Sequence, residues 1–275
     1  MTDINASIVL YHNDIDQIKR VIESFFGSES ALDLKLYLID NSANDSLSIL
    51  QDMDPRIVYI FNNKNLGYGA AHNKAIKVSI RDKVPYHLVL NPDIYFDNEV
   101  VESLYNYMES NRDVGNIMPQ VRYPDGNIQY LCKLLPTPSD LILRRFIPNR
   151  AWKEKNNQVY ELRASGYDKI MNVPNLSGCF MFLRTSILNE IGLFDENIFM
   201  YLEDTDLNRR IHLKYKTIFY PKIEIYHNYA KESYVNKKLL KYHIESAMYY
   251  FNKWGWLFDK DRDQINKNTL KEIGL

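Results

Sequence analysis

The amino-acid sequence predicts an α/β protein, and two observations in the first ninety residues lead to that prediction. Short apolar segments, β-branched or aromatic and of buried-strand length, occur at residues 7–11, 34–41, 56–62 and 86–91. Between them, residues 14–26 and 70–80 repeat apolar side chains at helical spacing. Alternation of this kind indicates a mostly parallel sheet that is covered by helices.

Further along the chain the alternation is less regular. Residues 173–184 predict a strand that is interrupted at Ser177 and Gly178, and a short helix capped by Thr185 follows it. The later elements are a helix over 205–213, strands over 216–220 and 223–227, and a helix over 236–254. Residues 144–167 match no regular pattern and are interpreted as a flexible flap or partly disordered loop.

The composition limits the class of protein. Of the 275 residues, 45% are hydrophobic and 25% are charged, as in an ordinary soluble globular protein. Lys and Arg number 34 against 35 Asp and Glu, so the net charge of −1 argues against a nucleic-acid partner, which would require a basic excess. Cys132 and Cys179 fit neither a zinc spacing nor a disulfide framework and are interpreted as reduced thiols of a cytosolic protein.

The N-terminal region carries only a six-residue apolar stretch and an early Asp, which does not resemble a signal peptide. No uninterrupted apolar segment approaches the roughly 20 residues that span a bilayer. We therefore expect a cytoplasmic protein that is soluble or at most peripheral to a membrane.

Polar residues stand at the ends of three predicted strands, at residues 11–14, 40–42 and 91–93. Ligands of open α/β sheets bind at the carboxyl ends of the strands, near the point where the strand order reverses. An Asp there can accept a hydrogen bond from a ribose hydroxyl or from a uracil or thymine N–H, and Tyr11 can cover the base. The alternative is that each cluster forms only a turn or a helix cap.

A glycine pair, Gly67 and Gly69, precedes the second predicted helix. His72 occupies the third glycine position of the dinucleotide fingerprint G-x-G-x-x-G, so binding of NAD is disfavoured. We expect the loop to allow close approach of a ligand, with Asn73 presented from the first turn of the helix. The alternative is that the glycines serve only the backbone geometry of a strand-to-helix turn.

Asp93 is the candidate metal ligand. Mg²⁺ and Mn²⁺ prefer oxygen ligands and commonly combine few carboxylates with phosphates and waters. Asp93, with Asn91 near it, could therefore hold a cation between the protein and a diphosphate. His227, at the end of a predicted strand, is a candidate metal ligand or phosphate contact. The alternatives are an ordinary Asn-Pro-Asp turn and a structural histidine.

Residues 195–206 carry five acids and no base within an apolar and aromatic stretch. The helix macrodipole explains an acid such as Asp204 or Asp206 as a cap, but it does not explain every acid of the segment. A partly desolvated carboxylate is what a general base requires. The segment is therefore a candidate catalytic centre.

Six segments, in this order, resemble the family 2 glycosyltransferases of the GT-A fold, particularly bacterial rhamnosyltransferase-like enzymes of surface-polysaccharide assembly. The segments are SIVLYHND, LIDNSAND, NNKNLGYGAAHNKAI, LVLNPDIYF, NLSGCFMFLR and IGLFDENIFMYLEDTDLNRR. The resemblance extends from residue 7 to residue 233. It implies a Rossmann-like, mixed sheet flanked by helices and followed by a C-terminal helical tail.

The resemblance also implies roles for individual residues. Donor-binding roles fall on Tyr11, Asn13, Asp40, Gly67, Asn73, Asn91 and Asp93. Contacts with the diphosphate or the acceptor fall on Ser177, Gly178, Cys179 and Arg210. Asp204 matches the catalytic base, next to Glu203, and a divalent cation, Mg²⁺ or Mn²⁺, would be held by Asp93 and His227. Asn91 stands at the first position of the Asp-x-Asp element of the family, so metal affinity would depend on one carboxylate.

The implied function is inverting transfer of a sugar, L-rhamnose from dTDP-L-rhamnose, to a saccharide acceptor hydroxyl in O-antigen or capsule synthesis. A UDP-hexose donor, a sugar-nucleotide pyrophosphorylase and a non-catalytic carbohydrate-binding module are the alternatives. The implied domain spans residues 1–235, with a nucleotide-sugar half at 1–97 and an acceptor half at 98–235. The tail comprises residues 236–275.

The stretch 207–258, which includes the first part of the tail, differs in charge from the acidic segment that precedes it. Residues 207–258 contain ten Lys or Arg against three acids, together with thirteen aromatic residues. A basic, aromatic helix can lie on an anionic membrane, at the inner face of the plasma membrane, where a lipid-linked acceptor would be found. Packing on the domain or on a second subunit as a homodimer is the favoured alternative, because Glu245 and the many tyrosines weaken the membrane signature.

Overall fold

A computed structural model describes residues 2–27, 31–143, 150–228 and 237–275. The strands of this part of the chain are β1 Ile4–Leu10, β2 Leu34–Asp40, β3 Ile57–Phe61, β4 Tyr86–Leu90, β5 Ile94–Phe96, β6 Val114–Arg122, β7 Cys132–Lys133, β8 Met171–Asn172, β9 Asn175–Leu176, β10 Phe180–Arg184 and β11 Lys216–His227. The α-helices are α1 Ile15–Phe26, α2 Tyr68–Arg81, α3 Glu99–Ser110, α4 Arg150–Tyr160, α5 Thr185–Ile191, α6 Glu203–His212, α7 Lys237–Trp254 and α8 Lys260–Ile273.

The centre of the fold is a nine-stranded mixed sheet, which confirms the predicted α/β class. Its order is β3-β2-β1-β4-β10-β6-β11-β5, with β8 pairing on β11. The strands β3, β2, β1 and β4 are parallel, whereas β10 runs antiparallel to both of its neighbours. The chain passes from β1 to β2 on one side and returns to β4 on the other, so the strand order reverses at β1. Such a reversal opens a crevice at the carboxyl ends of the strands.

Helices cover both faces of the sheet because the strand side chains alternate between two apolar layers. On one face, Leu88 and Leu90 of β4 share a buried cluster with Ile22 of α1 and Leu104 of α3. On the other face, Val89 packs with apolar residues of α2, α5 and α6. The strand β4 is thus buried on both sides, which is why it is visible in the sequence as a short apolar run.

Three predicted elements differ from the observed ones. The predicted strands 216–220 and 223–227 form one strand, β11, whose pairing with β6 shifts register between Tyr220 and Glu224, beside Pro221. Within the predicted strand 173–184 the chain forms two strands, β9 and β10, and β8 ends just before this segment, at Asn172. Within the unassigned residues 144–167, the chain forms helix α4, whereas 144–149 lie outside the described residues.

The tail residues 237–275 form two helices that pack against α6 and the segment before it. Arg209 of α6 and Asp259 at the start of α8 are both buried and form a bidentate salt bridge. Each terminal nitrogen of Arg209 lies 2.7 Å from a carboxylate oxygen of Asp259. Tyr250 and Phe251 of α7 are buried, and Trp254 lies over the Arg209 guanidinium at 4.0 Å. These contacts agree with the favoured interpretation of a packed tail. The predicted domain boundary at 235, the end of the resemblance at 233 and the predicted helix start at 236 lie outside the described residues.

Among the described residues, no helix combines the length and apolar character needed to cross a membrane.

Candidate active site

The candidate site lies where several chain ends meet at one edge of the sheet. β10 runs antiparallel to β4, with Phe180 opposite Leu90, so the start of β10 lies beside the end of β4. The backbone N–H of Asn91 donates to the carbonyl of Cys179 at 2.9 Å, which fixes the two segments together. β11 pairs with β5 so that His227 lies opposite Ile94. Sheet register therefore brings together three predicted site segments that are far apart in sequence.

Asp93 and His227 are the two residues of the site that are best suited to bind a cation. The His227 Nε2 atom lies 3.2 Å from Asp93 Oδ1. The Asp93 Oδ1 atom is buried and has no hydrogen-bond partner, so this oxygen is suited to binding a positive charge. An oxygen and an imidazole nitrogen fit a divalent cation whose other ligands are phosphate oxygens and water. Within the described ranges no group of three or more His, Cys, Asp or Glu could hold a metal by itself.

Tyr68 connects this pair to the acidic end of the site and was not identified from the sequence. Its hydroxyl lies 2.9 Å from Asn91 Oδ1 and 2.7 Å from the carbonyl oxygen of Gly178. Burial raises the pKa of the Tyr68 phenol well above its usual value, so the hydroxyl stays protonated and donates. The position of Tyr68 between Gly67 and Gly69 was the only available signal, and it indicated a loop rather than a hydrogen-bond donor.

Asp204 lies in the first turn of α6, directly against Gly178. Its Oδ2 accepts from the Gly178 N–H at 2.7 Å, and its Oδ1 accepts from the Thr205 N–H at 2.7 Å. A Cβ atom on residue 178 would lie 2.9 Å from the Asp204 Cβ, so glycine is needed for this approach. The two N–H donors orient the carboxylate at the positive end of the helix. The Asp204 side chain is only partly buried, as a base that meets a substrate requires.

Glu203, the preceding residue, has a different environment. Its side chain is buried, and its Oε2 atom has no hydrogen-bond partner. Burial, reinforced by the charge of Asp204, raises the pKa of Glu203 well above its usual value. Burial and Asp204 therefore favour the neutral form of Glu203, whereas the Asp204 side chain accepts hydrogen bonds from two backbone N–H groups.

The residues predicted to contact the nucleotide lie at the neighbouring ends of β1 and β2. Tyr11 is 48% exposed, which leaves its ring available to a base. Its backbone N–H donates to Asn13 Oδ1 at 2.7 Å. Asp40 is fully buried, with Oδ1 accepting from the Ser42 N–H at 2.7 Å and Oδ2 from the Tyr59 hydroxyl at 2.6 Å. With both oxygens hydrogen-bonded, the Asp40 carboxylate stabilises the loop at the end of β2.

Two predicted site residues do not reach the site. Asn73, in the second turn of α2, is 1% exposed, and its amide bonds to the backbone N–H and carbonyl of Phe194 at 3.1 and 2.9 Å. Arg210 donates to Asp206 at 2.9 Å and to the carbonyl oxygens of Ile191 and Leu193 at 2.7 and 2.6 Å. Both side chains fasten the segment around residues 191–196 to a helix, so the predicted ligand contacts are replaced by structural ones.

The glycine loop approaches protein rather than ligand, contrary to the expectation. Gly67 has φ +83°, and a Cβ atom there would collide with the carbonyl oxygen of Phe199. A Cβ atom on Gly69 would lie 2.7 Å from the Cβ of Phe194. The helix also begins at Tyr68, two residues before the predicted start. These glycines allow the segment that leads to Glu203 to lie across the start of α2.

Three of the five clustered acids are also structural. Asp195 accepts from Lys253 at 2.7 Å; although burial opposes ionisation, this bond and those from Asn197 lower the pKa of Asp195 to about 2. Asp206 is buried and binds Lys253, Trp254 and Arg210. Glu196 binds Lys77 and Asn73. Only Glu203 and Asp204 remain for chemistry.

Ser177 and Cys179 flank Gly178 in the segment that Asp204 contacts. Ser177 is partly exposed, and its hydroxyl accepts from the Cys179 N–H at 3.3 Å. Cys179 is buried, and burial raises the pKa of its thiol to about 12. The thiol is therefore not a nucleophile near neutral pH, and it is the backbone of residue 179 that connects to Asn91.

A mixed α/β sheet with a strand-order reversal, and with acidic residues grouped at one edge, is the architecture of the GT-A glycosyltransferases. The sequence profile of "Glycosyl transferase family 2" matches residues 7–192, and the chain belongs to that family. It is a glycosyltransferase, which decides against the pyrophosphorylase and the non-catalytic binding module.

Curated relatives and a solved structure agree with this assignment. The N-acetylglucosaminyl-diphospho-decaprenol L-rhamnosyltransferase of Mycobacterium tuberculosis is 25% identical over 84% of this chain and 78% of its own length. The rhamnosyltransferase WbbL of Escherichia coli is 25% identical over 94% and 97% of the two chains. The crystal structure of S. aureus TarS superposes with a TM-score of 0.59 at 14% identity, which compares the fold alone. The match covers 98% of this chain, which spans 43% of the TarS chain.

Proposed function

We propose that this protein is an inverting rhamnosyltransferase that moves L-rhamnose from dTDP-L-rhamnose to a hydroxyl of a saccharide acceptor in surface-polysaccharide synthesis. Two relatives that align over most of their length are named as rhamnosyltransferases, which favours this donor over a UDP-hexose. The observation that carries the chemical part is the hydrogen-bonded connection from Asp204 through Gly178 and Tyr68 to Asn91. This connection links the proposed base, Asp204, to the edge of the sheet where the diphosphate is proposed to bind.

The reaction is a single displacement at the anomeric carbon. Asp204 accepts the proton of the acceptor hydroxyl while that oxygen forms the new bond to the anomeric carbon. The bond between this carbon and the diphosphate oxygen breaks, and dTDP leaves with the electron pair, so the configuration inverts. Burial and the neighbouring Asp204 favour the protonated form of Glu203, which keeps a second negative charge away from Asp204.

A divalent cation, Mg²⁺ or Mn²⁺, bound by Asp93 and His227 would neutralise the charge that develops on the departing diphosphate. The unpartnered Asp93 oxygen and the nearby imidazole are the features of this chain that fit such an ion. The N–H of Gly178 is already committed to Asp204, so the remaining charge compensation depends on that pair.

A lipid-linked acceptor at the inner face of the plasma membrane is the more specific form of the proposal. The mycobacterial relative is named for a decaprenol-linked acceptor. In this chain, Leu257 and Phe258 follow α7 and are 75% and 93% exposed, beside Trp256 at 39%. Exposed Trp, Leu and Phe side chains are typical of segments that enter a membrane interface. A Leu257→Ser/Phe258→Ser variant should lose binding to anionic vesicles but retain turnover of a water-soluble acceptor, and unchanged vesicle binding would contradict the membrane proposal.

The decisive experiment compares donors. The chain is incubated with dTDP-L-rhamnose, UDP-glucose or UDP-N-acetylglucosamine, each with Mn²⁺ or EDTA, and with an N-acetylglucosaminyl-diphospholipid acceptor. We expect dTDP release and an elongated acceptor only with dTDP-L-rhamnose and Mn²⁺, with inverted anomeric configuration by NMR. Elongation only with a UDP-hexose would overturn the donor proposal, and retained configuration would overturn the mechanism. The Asp204→Asn variant, assayed in parallel, excludes a contaminating activity.

A further inference from the structure

Gln129 is a buried amide that is held against His227, 98 positions further along the chain. Its Nε2 atom donates to the His227 carbonyl oxygen at 2.7 Å and to the Arg122 carbonyl oxygen at 3.3 Å. Its Oε1 atom lies 3.0 Å from His227 Nδ1. Gln129 follows the hairpin after β6, and its own backbone N–H is fixed to Val121 at 2.9 Å. The side chain therefore holds the ring and the backbone of the same histidine.

The two carbonyl contacts determine which way the Gln129 amide faces. A reversed amide would turn its oxygen toward two carbonyl oxygens, which offer no hydrogen to accept. Oε1 must then face Nδ1, and because an amide oxygen only accepts, Nδ1 must carry the hydrogen. A neutral imidazole carries one such hydrogen, so the His227 Nε2 atom presents a lone pair.

Asn91 and Asp93 lie on the Nε2 side of the same ring. The Asn91 amide nitrogen lies 3.4 Å from His227 Nε2, and Asp93 Oδ1 lies 3.2 Å from it. The single hydrogen of the Tyr68 hydroxyl lies between two acceptors, Asn91 Oδ1 at 2.9 Å and the Gly178 carbonyl oxygen at 2.7 Å. The tautomer is therefore determined by the Gln129 contacts alone.

We propose that Gln129 is a positioning residue that holds His227 in the Nδ1–H tautomer, with the Nε2 lone pair directed to the cation pair with Asp93. The inference rests on the proposed function in one respect, the divalent cation. Because that cation would have few protein ligands here, the orientation of each ligand strongly affects the affinity for the cation. Loss of an outer partner of a metal-binding histidine typically weakens metal affinity about 10- to 100-fold.

Two variants separate this role from a merely structural one. Gln129→Leu removes all three hydrogen bonds. Gln129→Glu keeps an oxygen that accepts from Nδ1–H but loses the donor to the two carbonyl groups. If Gln129 acts through the ring, Gln129→Glu retains Mn²⁺ affinity and Gln129→Leu loses it by about 10- to 100-fold. If Gln129 only supports the backbone, Gln129→Glu is at least as damaging as Gln129→Leu, which would overturn the proposal.

The experiment uses the full chain and two readouts. Two-bond ¹H–¹⁵N NMR of the imidazole nitrogens, with His227→Gln to assign the signal, should report a protonated Nδ1 and a bare Nε2 in the wild-type chain. Free Mn²⁺ is titrated by electron paramagnetic resonance with dTDP present. A bare Nδ1 in the wild-type chain overturns the proposal whether or not any variant folds.

The outcomes also distinguish the two proposals. Turnover without Mn²⁺ binding overturns the present one and leaves the transferase in place. Mn²⁺ binding with the expected tautomer but no rhamnosyl transfer overturns only the proposed donor.

Discussion

Glu203 and Asp204 are consecutive residues of the first turn of α6, yet their carboxyl groups have opposite surroundings. Asp204 is held by the N–H groups of Gly178 and Thr205 at 2.7 Å each. Glu203 is 6% exposed, with one oxygen unpartnered and a pKa raised well above its usual value by burial and by Asp204. Two neighbouring acids with such different environments are suited to different tasks. The sequence does not contain the contacts that create this difference.

Replacing each acid by its amide should therefore have unequal effects. Asp204→Asn removes the base and should lower kcat by at least ~10²–10⁴-fold with little change in donor binding. Glu203→Gln keeps a neutral donor of the same shape and should cost less than about tenfold. The measurement is steady-state transfer together with dTDP binding by calorimetry. Equal losses in the two variants would contradict the division of roles, and full activity of Asp204→Asn would exclude it as the base.

Asn91 determines how many negative charges face the proposed cation. Its amide nitrogen faces the His227 Nε2 atom at 3.4 Å, and its oxygen accepts from Tyr68. Asn91→Asp keeps the acceptor for Tyr68 and adds a second carboxylate beside Asp93, so Mn²⁺ affinity with dTDP should rise about tenfold or more, about 1.4 kcal/mol. Asn91→Ala is the control, since it removes the amide without adding charge. An Asn91→Asp variant with unchanged Mn²⁺ affinity would indicate that the cation binds elsewhere.

The buried Arg209–Asp259 pair attaches the tail helices to the helix that carries the base. Arg209 has no exposed surface, and its two terminal nitrogens each lie 2.7 Å from a carboxylate oxygen of Asp259. Asp259→Ala leaves a buried charge and should lower the free energy of unfolding by about 3–5 kcal/mol. The double variant Arg209→Met/Asp259→Leu should recover most of that loss. Urea unfolding followed by tryptophan fluorescence measures both, and a loss below about 1 kcal/mol for Asp259→Ala would mean that the tail is not fixed by this pair.

The predicted site residues that the fold brings together share one property: they lie at or directly after the end of a strand. Asn91 and Asp93 follow β4, and His227 ends β11, so strand prediction and the rule for carboxyl ends bring them to one edge. Asn73 and Arg210 have suitable chemistry, but their partners are backbone groups of Phe194, Ile191 and Leu193. A single sequence contains no information on such pairings.

Gln129 is the opposite case, a residue that contacts the site but was not predicted from the sequence. It lies outside every strand and helix of the described chain and has no local motif, yet three hydrogen bonds connect it to His227 and Arg122. The positive charge of the tail is also involved in an internal contact that the sequence does not reveal. Lys253 binds Asp195 and Asp206 of the acidic segment. The acidic and basic segments of the sequence thus partly neutralise each other in the fold. Some of their charges form an internal contact rather than an exposed surface.

Buried histidines should make the fold sensitive to mild acid. Burial lowers the pKa of His87 to about 3 and of His212 to about 4, and it lowers that of His72 well below its usual value. His87 lies between the hydroxyls of Ser79 and Ser7 at 2.7 and 2.8 Å, with no acid to stabilise a charged ring among those contacts.

The sign of this effect follows from proton binding. Below about pH 6.5 the unfolded chain binds a proton at His87 and at His212, and the folded chain does not until about pH 3 to 4; His72 shifts in the same direction. The stability is therefore complete above pH 6.5 and falls with acid by up to about 1.4 kcal/mol per pH unit for each histidine. Urea unfolding at pH 7, 6 and 5 should give a steadily lower free energy. The slope between pH 6 and 5 should decrease by about one proton in His87→Gln. A flat profile from pH 7 to 5 would mean that the three rings are accessible to water or are already paired with a charge.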